Sequence, residues 1–317
     1  KATLIYMNNN QFNNILVVKH GSLGDIAFSL TAMASIKKYF SNANIDLLTE
    51  GKYIDFLKNS NYFKKIIIDN RRGIINSLKV IFNINQSKYD LIIDLQNSKR
   101  TNNYWALLKL ISKVKINGSR SNCDIQYVIP PQGTESPQNG LHNQLKLIGI
   151  DEINQNVDWL FTDISAINKD NIILMVPGVS KSGQDKQWSP ENFAKLANSL
   201  EKKGYNICVV GQKTDKETLT TISNECQHII DLTDKSPPEV IYSVAKKSYL
   251  IISNDTGPGH IAALSKSPIL FLAKDNEISK SNLSEYTNGY KILNDNLKSI
   301  SVNNVLDFLN KKKLIDK

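Results

Sequence analysis

Residues 249–264 read Tyr249-Leu250-Ile251-Ile252-Ser253-Asn254-Asp255-Thr256-Gly257-Pro258-Gly259-His260-Ile261-Ala262-Ala263-Leu264, and this stretch decides the fold. Its first five residues are an apolar run that fits a buried strand. Gly-Pro-Gly then turns the chain, and the small apolar residues from Ile261 to Leu264 continue as a short helix. A strand, a Gly-rich turn and a helix N-terminus bring free N–H groups and the positive end of a helix dipole to one place, which is a site for an anion. Thr256 adds a hydroxyl donor, and His260, about one turn into the helix, can point back toward the loop. The same residues also fit an ordinary β–α turn in which Asp255 caps the helix.

Working outward, apolar runs alternate with amphipathic stretches along the whole chain, which predicts parallel sheets with crossover helices. Strands are expected at 15–18, 45–48, 66–68, 91–94 and 127–129, with helices over 25–40 and near 52–59, 74–83, 101–112 and 139–148. Polar sequence from about 150 to 170 reads as a linker. A second series follows, with strands at 172–176, 207–210, 228–231, 249–253 and 268–272. Its helices include one opened by Ser189-Pro190 and closed by Gly204, the N-cap, Pro-first and C-terminal Gly pattern. A last helix is expected near 302–313. The fold class is therefore α/β with two Rossmann-like domains, at 1–160 and 161–317.

The 317 residues suit two domains of ordinary size, and 41% hydrophobic content is ample for two cores. No apolar run reaches the ~20 residues of a membrane span, and no secretory leader pattern is present. Cys123, Cys208 and Cys226 show no metal-ligand spacing and fit buried thiols in a reducing compartment, so the protein is expected in the cytoplasm. Met7 is read as the natural start. Of the net +9, residues 1–160 hold 19 Lys and Arg against 12 Asp and Glu, and all four arginines (Arg71, Arg72, Arg100, Arg120) lie there. That half is expected to meet an anionic partner. No nucleic-acid-binding role is expected.

A dinucleotide-dependent oxidoreductase would share this silhouette. The first strand exits into Lys19-His20-Gly21-Ser22-Leu23-Gly24-Asp25, and Glu50 closes the next strand where a ribose-binding acid would sit. But the glycines run Gly-x-x-Gly-Asp rather than Gly-x-Gly-x-x-Gly, and an Asp at that helix start repels a pyrophosphate. Asp25 instead fits a general base, held ionised by the helix dipole, or simply a cap. The loop 177–193, with Gly178, Ser180, Ser182, Lys186 and Trp188, leaves the first strand of the second domain, and a Lys beside hydroxyls and amides suits a diphosphate. Trp188 reads as a packing residue. Asp94-Leu95-Gln96-Asn97-Ser98-Lys99-Arg100 ends the fourth strand of the first domain; Asp94 reads equally as a structural acceptor. No Ser-His-Asp elbow, Walker loop or His/Cys cluster is present, and His20, His142 and His228 belong to no constellation.

Three of these segments, in order, resemble the lipopolysaccharide heptosyltransferases of glycosyltransferase family 9. Lys19-x-Gly-Ser-Leu-Gly-Asp25 is similar to the family's N-terminal loop, Asp-x-Gln96 to its strand end, and Asp255-Thr-Gly-x-x-His260 to its nucleotide-diphosphate motif. Lys186-x-Trp188 matches a fourth element, with Ser189 inserted before Pro190. The resemblance implies a GT-B fold, the two sheets facing across a cleft, with a hinge in the linker and the last helix packing back on the first domain. It implies an inverting, metal-independent transfer of heptose from ADP-heptose to a lipopolysaccharide inner-core sugar, at the cytoplasmic face of the inner membrane. Asp25 would be the catalytic base. Ser180, Lys186, Asp255, Thr256, Gly257 and His260 would bind the donor, and Ser22, Gly24, Gln96, Lys99 and Arg100 the acceptor. No cofactor is implied beyond the donor itself. Another nucleotide sugar, a nucleotide-sugar epimerase or a non-catalytic GT-B binding module are the alternatives.

Overall fold

The computed structural model describes residues 11–212 and 215–315; Met7 lies outside them. The chain divides into two compact units, one ending at Trp159 and one beginning at Leu160.

The first unit runs β1 (Asn14–Val18), α1 (Leu23–Tyr39), β2 (Asn44–Thr49), α2 (Ile54–Lys58), β3 (Lys65–Ile68), α3 (Ile74–Gln86), β4 (Leu91–Asp94), α4 (Lys99–Leu108), β5 (Lys115–Gly118), β6 (Ile125–Gln126) and α5 (Pro137–Lys146). Its six strands are parallel in the order β3-β2-β1-β4-β5-β6. β1 and β4 pair in register, Ile15 opposite Leu91 and Val18 opposite Asp94. Both are covered on the two faces, which is why their sequences are unbroken apolar runs rather than alternating ones. Trp105 is fully buried in the core between sheet and helices, among Leu16, Ile92 and Ile116.

The second unit repeats the plan: β7 (Ile172–Val176), α6 (Pro190–Glu201), β8 (Asn206–Gly211), α7 (Lys216–Glu225), β9 (Ile229–Thr233), α8 (Pro238–Lys247), β10 (Leu250–Asn254), α9 (Gly257–Ala263), β11 (Ile269–Ala273), α10 (Glu277–Ser281), β12 (Gly289–Leu293) and α11 (Val302–Lys311). Its parallel order is β12-β11-β10-β7-β8-β9. The last helix buries Val305 and Leu309 in this unit's core beside Trp188 and Phe193.

In each sheet the winding direction reverses once, between β1 and β4 in the first and between β7 and β10 in the second. Loops leaving the carboxyl ends of two such strands diverge and open a crevice, the place where α/β sheets bind ligands. Two expectations need correction. The apolar run at 127–129 is not a strand: pairing stops at Gln126, and Val128 and Ile129 are exposed. β12 and α10 were not expected, because Gly289-Tyr290-Lys291-Ile292-Leu293 is a half-buried edge strand without a strong periodic pattern.

Candidate functional site

The first crevice is built on the loop after β1. Gly21 has φ +117°, and a Cβ there would lie 2.5 Å from Asp25 Oδ2, so only glycine fits. Ser22 is the N-cap of α1. Its Oγ accepts from the Asp25 N–H (3.3 Å), while its own N–H and hydroxyl each donate to Asp25 Oδ2 (2.7 Å). This is a capping box with Asp in the third position. Asp25 is therefore both cap and exposed carboxylate, and its Oδ1 takes no hydrogen bond among the described residues. Gly24 is buried in the first turn of α1.

Around this loop the other strand ends converge. Lys19 is buried and donates to the Leu95 carbonyl (3.1 Å). Burial lowers its pKa, while the charges of Asp25 and Asp94 pull it back up. Asp94 is fully buried, which pushes its carboxyl up, but it accepts from Trp105 Nε1 (2.7 Å) and from the Gln96 and Asn97 N–H groups (2.9 Å each). Its role is structural. Gln96 Oε1 accepts from the His20 N–H (2.9 Å), tying the β4 exit to the β1 loop. Arg100 donates to Tyr104 Oη (2.6 Å) and Ser77 Oγ (2.9 Å), whereas Lys99 is exposed at the start of α4. Glu50, placed where a ribose acid would sit, instead accepts from the Gly21 N–H (3.1 Å) and pairs with Arg71 and Lys52. It clamps the loop.

His20, which belongs to no constellation in the sequence, acquires partners in the fold. Its ring is buried, with Nε2 3.4 Å from Asp69 Oδ2, and burial holds its pKa down at about 4, so it is neutral. Asp69 also accepts from Tyr104 Oη (3.0 Å), which links His20 to Arg100. A lone His after a strand gives no signal by itself; the partners come from β3 and α4, which only the fold assembles.

In the second crevice the loops after β7 and β10 meet through one side chain. Asn254 is buried, donates to the Pro177 carbonyl (2.7 Å) and accepts from the Trp188 N–H (3.0 Å), so it holds both ends of the loop that carries Ser180 and Lys186. Trp188 is fully buried, donates to the Ile300 carbonyl (2.8 Å) and packs edge-on to Phe193, a packing residue as expected. Gly259 must be glycine because a Cβ would lie 2.2 Å from Ser253 Oγ and 2.9 Å from the Phe271 ring. That contact seats α9 hard against β10 and β11.

Asp255 and His260 face each other, Nε2 to Oδ1 at 2.9 Å, and the imidazole stacks on Phe271 at 5.2 Å. Burial pushes the Asp255 carboxyl up, but His260, the Lys186 charge and Ser279 together hold it below its ordinary value. Thr256 is the N-cap of α9, yet no side chain caps that helix among the described residues. The Thr256 hydroxyl is buried and unpartnered among the described residues. The unpartnered Thr256 hydroxyl, a helix start that no side chain caps, a carboxylate turned onto His260 and an exposed Lys186 make a surface suited to an anion. Ser180 is exposed just ahead of the 3-10 turn Lys181–Lys186. Among the described residues no group of three His, Cys, Asp or Glu side chains could hold a metal ion, and no helix is long and apolar enough to cross a membrane.

Comparison with known proteins identifies the framework. Residues 135–277 match the family model described as glycosyltransferase family 9 (heptosyltransferase). Lipopolysaccharide heptosyltransferase 3 of Escherichia coli K12 is 22% identical over 78% of this chain and 79% of its own. Among solved structures, a glycosyl transferase family 9 protein from Veillonella parvula superposes with a TM-score of 0.74 at 17% identity, covering 94% of this chain and 96% of its own. The E. coli heptosyltransferase WaaC with ADP-2-deoxy-2-fluoro heptose gives 0.72 at 15% identity, covering 94% and 99%. With the two parallel sheets and the motif loops at their switch points, these likenesses agree on one assignment: residues 135–277 carry a glycosyltransferase family 9 (heptosyltransferase) domain, in a chain that has the fold of that family's solved glycosyltransferases.

Proposed function

We propose that the protein transfers a heptose from ADP-heptose to an inner-core sugar of lipopolysaccharide, with inversion at the anomeric carbon. The observation that carries this reading is the contrast between the two helix starts. Asp25 fills the start of α1 with a carboxylate, and α9 leaves its N–H groups and the Thr256 hydroxyl uncapped. The first suits a proton acceptor and the second a diphosphate.

In this mechanism the acceptor hydroxyl attacks the anomeric carbon as Asp25 takes its proton. The bond from that carbon to the β-phosphate oxygen breaks, and ADP leaves with the electron pair. Lys186, the Thr256 hydroxyl, the Gly257 N–H and His260 stabilise the charge growing on the diphosphate, so no metal ion is required. Ser180 and Asp255 complete the donor side, with Asp255 orienting His260. On the acceptor side Ser22, Gly24 and the exposed Lys99 meet the sugar directly. Gln96 and Arg100 complete the acceptor side with the donors they have left, while Gln96 Oε1 holds the His20 N–H and Arg100 is oriented by Tyr104 and Ser77. The domain roles follow: residues 1–160 take the acceptor and 161–317 the donor. The phosphate-bearing acceptor fits the basic first half, and the reaction belongs at the cytoplasmic face of the inner membrane.

The test is a donor screen that follows ADP, UDP and GDP release from their heptose and hexose conjugates, with and without a heptose-acceptor lipid. ADP release that depends on acceptor is the expected result. Preference for a UDP sugar would replace the donor. Donor conversion without acceptor points to an epimerase, and tight donor binding without turnover to a binding module.

A further inference from the structure

The 13-residue helix α3 is apolar on two sides. One side, with Val80, Ile81 and Ile84, is buried in the core of the first unit. The other presents Ile74, Ile75, Leu78 and Phe82 to solvent, at 79, 71, 52 and 58% exposure. Positions 74, 78 and 82 are spaced by four, so they form one stripe. Scattered exposed apolar side chains are ordinary on a protein surface, but a contiguous stripe of large ones on one helix marks a place where something docks.

The charge around the stripe identifies the occupant. From Asn70 to Tyr89 the chain carries Arg71, Arg72, Lys79 and Lys88 and no carboxylate. Arg72, Lys79 and Lys88 are exposed. A stripe of Ile, Leu and Phe bordered by cations matches the boundary of an anionic bilayer, where apolar groups enter the acyl region and cations meet the headgroup phosphates. A second protein chain would require acidic complements; a bilayer supplies them along the whole helix.

We propose that α3 is a membrane-docking helix that lies on an anionic lipid surface with Ile74, Ile75, Leu78 and Phe82 inserted. Its start is coupled to the first crevice, because Ser77 accepts from the Arg100 guanidinium (2.9 Å) and Arg71 pairs with Glu50, which holds the Gly21 N–H. Docking by α3 would therefore set the mouth that carries Asp25 at the level of the headgroups, where the sugar of a lipid-anchored acceptor lies. This last step rests on the proposed acceptor; the docking itself does not.

The experiment is co-flotation of the full chain with phosphatidylglycerol-rich vesicles and with phosphatidylcholine vesicles, with no nucleotide sugar present. Binding to the anionic vesicles only, weakened in high salt, is expected. The double variant Leu78→Glu, Phe82→Glu should bind at least about 10-fold more weakly, and the control Val128→Glu, at an exposed loop site away from α3 in sequence, should bind like the parent. Circular dichroism and turnover on a short water-soluble acceptor should be the same in the α3 variant as in the parent. Three results overturn the proposal: no binding of the folded parent, binding that the α3 variant retains, or a concentration-dependent dimer that the variant abolishes while vesicles are ignored. Because lipid binding and turnover are read separately, failure of docking leaves the glycosyl-transfer reading standing, and the reverse.

Discussion

The two switch points share one construction and differ in what stands at the helix start. At β1/β4 the strand exits through Gly21 into a capping box, and the Asp25 carboxylate consumes the Ser22 N–H and hydroxyl. At β10/β7 the strand exits through Asp255 into Thr256-Gly257-Pro258-Gly259, and the carboxylate is turned onto His260 instead of onto the helix. A carboxylate at the start of α1 repels a phosphate and keeps one oxygen for other work. Leaving α9 uncapped does the opposite, since a buried hydroxyl and the N–H groups of a first turn are costly without a partner. The lesson is that a β–α turn becomes an acid–base site or an anion site according to which group satisfies its helix.

The largest effect that can break this comparison is expected from Asp25→Asn. The amide oxygen can still accept from Ser22, so the cap persists and stability should change by less than about 1 kcal/mol. Turnover should fall by about 10³-fold or more, with ADP affinity unchanged, measured by steady-state kinetics beside calorimetric titration. Full activity in Asp25→Asn would reduce the loop to a capped turn.

A smaller effect separates the units by acid. His142 in the first unit is buried against Thr31 Oγ1 (2.9 Å), and burial lowers its pKa from 6.5 to about 4. The unfolded chain takes up this proton near pH 6.5 and the folded one only near 4, so the folded state loses stability as pH falls through that window. The loss reaches on the order of 3 kcal/mol. Asp255, whose pKa is depressed, contributes stability that is lost only below the ordinary Asp value. Melting curves of the parent and His142→Gln should therefore converge as pH is lowered from about 6.5 to about 4; a constant gap would mean that His142 does not titrate there.

Most of the framework was legible because buried parallel strands are written as runs such as Ile172-Ile173-Leu174-Met175-Val176, and helix starts as Ser189-Pro190. The edges were not: β6 is two residues long and β12 half-buried, so neither imposes a pattern. At the candidate site the helix starts at Ser22-Asp25 and Thr256-Gly257 were legible as turns, and the hydrogen-bond partners that distant segments bring to them were not. Gln96 and Arg100 both read as acceptor contacts, and the sequence does not show that Gln96 Oε1 also accepts from the His20 N–H or that Arg100 also donates to Tyr104 and Ser77. His20 itself has no local pattern at all, because Asp69 stands 49 positions away in sequence. Gly259 shows the opposite case, a glycine whose need lies in the packing of α9 on Phe271 and not in its turn.

The finest test concerns Thr256→Val, which keeps the shape and removes the hydroxyl. If the hydroxyl served the fold, it would have a partner within the protein, and the change would lower stability. It is buried and without a hydrogen bond among the described residues, so its removal relieves an unsatisfied group and should leave melting unchanged or slightly raised. A hydroxyl that waits for a phosphate oxygen predicts a loss only when ligand is present, about 10-fold in ADP affinity, equivalent to roughly 1.4 kcal/mol. Affinity falls while melting does not, a combination that no general destabilisation can imitate. Equal affinity in Thr256→Val and the parent would remove Thr256 from the donor side and leave the anion to the N–H groups of α9 and to Lys186 alone.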